Sequence, residues 1–157
     1  MELFCFASRN LKNIELGVRH QMWAVATLLN VGAMAARARK AEKYLHPDAV
    51  GVLYCNPRHA FTMPFIVRSK ADQTRIVTDI WPEPWCLPFK IVPLGGPSRM
   101  VSAEDAKKRW PVVRDRLGPR GGVSAAMNIT GTTVFVPVVI TAADWEIICS
   151  DLADRES

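Results

Sequence analysis

The 157-residue sequence predicts an α+β fold: a mixed β-sheet or small open barrel with helices packed on its outside. Three observations point there. Short apolar runs alternate with clusters of Pro, Gly and Asn, three segments carry helix caps, and the order is strand, helix, several strands, helix, strand, helix. No internal repeat and no linker long enough to separate two units is visible, so residues 1–157 are expected to form one domain.

ELFCFA opens the chain as an apolar run without Gly or Pro, and the polar SRN that follows suits a strand handing over to a helix. From Asn10 to His20, Leu11, Ile14 and Val18 share one face at helical spacing, and Asn10 can cap the first turn. Trp23 then falls just past the helix end. Ala33 to Leu45 is rich in helix formers but has only a narrow apolar stripe, so it suits a helix or an ordered loop. VGVLYC and FTMPFIVRS, joined by NPRHA, predict a hairpin, with Pro64 arguing for an edge strand or a bulge. DIWPEPWCLPFKIVPL is too broken by Pro for a helix and too apolar for a solvent loop, and it ends in a strand-like FKIVPL. Ser102 with Asp105 opens a helix through about Arg116, and Thr141 with Asp144 opens one through about Leu152. Between them GPRGG is a turn and TTVFVPVVI a candidate buried strand.

Composition limits the function classes. No stretch approaches the ~20 apolar residues of a membrane span, and MELFCFASRN lacks the charged start and cleavage site of a signal peptide, so a soluble, cytoplasmic chain without membrane contact is expected. Cys5, Cys55, Cys86 and Cys149 are scattered, form no CxxC pair, and suit reduced thiols rather than a disulfide frame or zinc site. Lys and Arg total 20 against 15 Asp and Glu, a net charge of +5. That excess suits a polyanion partner and a merely solvated basic surface equally.

No catalytic set emerges. His20, His46 and His59 lack metal-ligand spacing, no phosphate-cradling loop or nucleophile elbow is present, and Ser8, His20 and Asp48 form a triad only by imagination. No catalytic residue, cofactor or metal is therefore expected. The aromatic signal is stronger. Of five Trp, Trp110 and Trp145 fall within helical faces and suit core anchors, whereas Trp23, Trp81 and Trp85 fall at element ends or in loops.

FCFASRN, LKNIELGVRHQMWAV, VGVLYC, FIVRS, IWPEPWCLPFKIVPL, AKKRWPVVRDRL and VFVPVVITAADWEII resemble, in order and spacing, the EVE domain of the PUA-like superfamily, a close relative of the YTH domain. The segment from Thr27 to Glu42 departs by carrying extra residues. The resemblance implies a binding module, not an enzyme, that flips a methylated or hydroxymethylated base into an aromatic cage. Trp23 would be one wall, Trp81 or Trp85 the second, and Ala24 the small neighbour. Ser8, Asn10 and Asn13 would bond the base edge. Unstacking costs a few kcal/mol, which aromatic stacking at ~1–3 kcal/mol per base offsets. Arg9, Lys12, Arg19 and His20 beside the mouth, and Lys107, Lys108 and Arg109 further on, are the candidates for the nucleic-acid backbone. By analogy with EVE domains of modification-dependent restriction systems, DNA is favoured over RNA, with a nuclease or motor supplied by a partner. An RNA-binding domain associated with RNA modification, or a small-molecule or nucleotide site, is the alternative.

Overall fold

The computed structural model describes residues 1–154. Its strands are β1 (Glu2–Ser8), β2 (Met22–Ala26), β3 (Val50–Cys55), β4 (Ala60–Val67), β5 (Ile76–Val77), β6 (Trp85–Pro93), β7 (Val101–Ser102) and β8 (Val138–Val139). Its helices are α1 (Leu11–His20), α2 (Val31–Tyr44), α3 (Ala103–Arg109), α4 (Pro111–Arg114), α5 (Val123–Ala126) and α6 (Ala142–Leu152). The α+β class with a curled, half-barrel sheet between helices is what the sequence predicts. None of the described helices is long and apolar enough to cross a membrane.

The sheet runs β2-β6-β4-β3-β1-β8, with β5 beside β6 and β7 beside β4. β1 lies parallel to β3, from Leu3 opposite Val50 to Ser8 opposite Cys55, and the other pairings are antiparallel. β1 and β3 are buried on both faces, which is why their sequences are continuously apolar rather than alternating. Successive side chains still divide between two cores. Phe4 and Phe6 join Ile14, Trp23, Phe65 and Phe89 on one face, while Leu3 and Cys5 join Val52, Phe61, Trp110 and Ile148 on the other. Helix α1 contributes to the first core, and α3 to α6 contribute to the second.

Several predicted elements differ in detail. Pro64 lies in a central strand, not at an edge. Between the pairs Leu53–Thr62 and Gly51–Phe65, Met63 and Pro64 together oppose Val52, so the proline sits in a bulge where no ladder N–H is needed. Met63 takes a positive φ of 49° there. The helix opened by Ser102 stops at Arg109, because Pro111 biases Trp110 to extended backbone (φ −99°, ψ 108°) before the chain re-enters a short helix. TTVFVPVVI forms only the two-residue β8, since Phe135 sits at φ 70° and Pro137 removes a ladder donor. Residues 31–44 form a helix capped by Asn30, and β6 starts at Trp85, earlier than FKIVPL suggested.

Candidate nucleic-acid interface

At the end of β1 the chain turns on Ser8, whose hydroxyl donates to the Asn10 carbonyl (2.7 Å) and accepts from the Asn10 amide (3.4 Å). Asn10 then starts α1, its Oδ1 accepting from the Asn13 amide at 2.8 Å. This turn and cap bring Asn13 inward, to 6% exposure, where its side-chain oxygen Oδ1 is buried without a hydrogen-bond partner. A buried polar atom without a partner costs ~1–3 kcal/mol, so an orphan beside a cavity marks a place where a ligand can bond.

The cavity is there. About 210 Å³ of space is enclosed by Ala7, Arg9, Asn10 and Asn13 from the β1–α1 junction, Ala24 to Ala26 from β2, and Pro82, Glu83 and Trp85 from the segment entering β6. That is below the ~300–1,000 Å³ of sites for drug-sized ligands and suits one flat heterocycle. The β2–β6 ladder slips register between Trp23 and Val25, so the walls from β2 belong to an irregular stretch. Across the cavity, Arg9 Nη1 and Glu83 Oε1 form an ion pair at 3.4 Å, both side chains largely exposed.

The three tryptophans expected to form a cage do come together, but as a packed cluster. Trp81 stacks on Trp85 with ring centres 4.4 Å apart, and Trp23 meets both edge-on at 5.8 and 5.2 Å. Trp81 donates its indole N–H to the Asn13 backbone carbonyl (3.1 Å). Trp23 is 1% exposed and lies so close to α1 that a Cβ on Gly17 would come within 2.9 Å of its ring. Only Trp85 reaches the cavity; Trp23 and Trp81 back it. Trp23 thus belongs to strand β2 and the core rather than to a loop at a pocket mouth.

Of the other named residues, Asn10, Asn13, Ala24 and Arg9 line the cavity, while the Ser8 hydroxyl is spent on the turn. Lys12 is exposed on the first turn of α1 but is not a wall. Arg19 and His20 lie at the far end of this ten-residue helix, a distance of ~15 Å at 1.5 Å per residue. Lys107, Lys108 and Arg109 ride on α3, which packs into the core on the opposite sheet face. Lys107 is paired with Glu104 (3.0 Å) and Arg109 with Asp151 (2.5 Å). The imagined triad is not assembled: the Ser8 hydroxyl donates to the Asn10 carbonyl and Asp48 pairs with Arg68 at 3.4 Å, neither with His20. Among the described residues no cluster of His, Cys, Asp or Glu could hold a metal ion. Sequence reasoning missed Glu83, whose flanking prolines in WPEPW were the available signal, and the backbone-lined walls at Ala7, Val25 and Ala26.

No family model and no curated protein matches the sequence. Solved structures match by shape. The Pho92 YTH domain in complex with m6A shares 15% identity over 95% of this chain and 82% of that one, with a TM-score of 0.57. The Mmi1 YTH domain shares 11% over 96% and 93%, with a TM-score of 0.55. The YTH domain of Zygosaccharomyces rouxii MRB1, in complex with N6-methyladenosine RNA, shares 18% over 73% and 70%, with a TM-score of 0.53. The chain therefore has the fold of YTH domains. At these identities the likeness extends to fold alone.

Proposed function

We propose that this chain is a binding module of the YTH and EVE type that takes one methylated base of a nucleic-acid strand into the Trp85 cavity and performs no chemistry on it. The observation that carries this is the buried, unpartnered Asn13 oxygen beside a base-sized cavity with an indole wall. Trp85 supplies a stacking surface, while Asn10 and Asn13 supply amides for a base edge. Support for the polymer moves from DNA to RNA, because the MRB1 YTH domain of the same fold is in complex with N6-methyladenosine RNA and the Pho92 YTH domain with m6A. RNA is accordingly the preferred partner.

The test is a tryptophan-fluorescence titration with matched single-stranded RNA and DNA oligonucleotides, plain or carrying one methylated adenine, cytosine or guanine. One methylated RNA should bind at least about tenfold more tightly than its plain counterpart. Asn13→Ala should lose that preference while unfolding at the same or slightly higher denaturant concentration, since it removes an unsatisfied buried atom. Equal, purely salt-dependent binding to every member would overturn the proposal.

A further inference from the structure

We infer that Glu83 makes the cavity selective for a methylated base that carries a positive charge; this rests on the base-binding function proposed above. A carboxylate lining a site for a phosphate polymer repels the polymer and can only accept hydrogen bonds, so its presence needs a reason. Pro82 and Pro84 flank it, each fixing its own φ, and thereby restrict the backbone that presents Glu83 at the wall. In the free protein its charge is answered by Arg9. With the two side chains 73% and 61% exposed, that pair is weakly held and exchangeable.

The remaining walls suit a cation too. Trp85 brings an indole to the wall, and the orphaned Asn13 oxygen is a second acceptor. Methylation at a ring nitrogen, such as N1 of adenine, N3 of cytosine or N7 of guanine, leaves the base cationic, whereas methylation of the exocyclic amine leaves it neutral. A cationic base would replace Arg9 at Glu83, and the released guanidinium would be free to bond an adjacent phosphate. Base capture and backbone contact are then coupled through one ion-pair exchange. A neutral methyl has only its apolar area, worth about fourfold in affinity.

Two isomers isolate the charge. The same short single-stranded RNA is prepared with one 1-methyladenine or one N6-methyladenine, and each is titrated against the protein near neutral pH. The cationic isomer should bind about tenfold more tightly, the scale of one charge-assisted hydrogen bond. Glu83→Gln should bring the ratio close to one, and the cationic isomer should bind with the steeper salt dependence, a difference that Arg9→Gln removes. Equal or tighter binding of the N6 isomer, or a ratio indifferent to Glu83→Gln, would overturn the role of Glu83 while leaving the base-binding function standing. If no methylated RNA binds better than plain RNA, both fall together.

Discussion

The indole of Trp23 is held among Gly17, Trp81 and Trp85 with 1% of its surface exposed, and that burial reverses the expectation for its removal. A ligand-facing Trp could be cut back with the fold intact. This one leaves a cavity behind the stacked pair, and buried Trp→Ala changes cost ~3–5 kcal/mol. Trp23→Ala is therefore expected to lower the unfolding free energy by about that amount in urea titration. It should weaken base binding through the displaced Trp85 rather than through a lost contact. An undiminished urea midpoint would return Trp23 to the pocket wall.

At the scale of elements, the end of the β1–β3 parallel pair and the bulged β4 depend on one close approach. Gly51 on β3 faces Phe65 on β4, and a Cβ at Gly51 would stand 2.1 Å from the Phe65 ring. The ring is fully buried in the close-packed core beside Phe89, so moving it displaces its neighbours. Gly51→Ala should cost about 1–3 kcal/mol or more, as overpacking does, despite the lower unfolded-state entropy of Ala. A thermal melt checks it, and a midpoint unchanged or raised would show that the ring can move aside. Pro64 gives the element-level contrast: a proline that the sequence marks as disruptive is accommodated within the register shift, because the bulge leaves it no hydrogen bond to break.

For the whole molecule, the net charge of +5 overstates what a bound strand would meet. Arg9 is at the cavity and Lys12 is on the adjoining turn, but α3 lies on the other face with two of its three basic residues already paired. Single strands release about 0.7 counterion per neutralised phosphate, so two or three contacts give a slope of log K against log salt near −1.4 to −2. Lys108→Ala should leave that slope unchanged in titrations across a salt series. A slope of −4 or steeper that Lys108→Ala reduces would place α3 on the path of the strand.

Much was legible from local chemistry. Asn10 as a cap, the Ser102 and Thr141 helix starts, the β3–β4 hairpin and the buried β1 all follow from patterns within a few residues, where hydrogen-bond geometry and burial act directly. The sequence by itself determined the mixed α+β class, while the family resemblance pointed to Ser8, Asn10, Asn13, Trp23, Ala24 and Trp81 or Trp85 for a base and to Arg9 for the nucleic-acid backbone. Only the tertiary structure decided which tryptophan faces the cavity, that Glu83 stands 3.4 Å from Arg9 across 74 positions of chain, and that the α3 cations lie behind the sheet. Facing and pairing of that kind are set by the twist and register of a sheet whose strands come from distant segments, and no period within one segment encodes them.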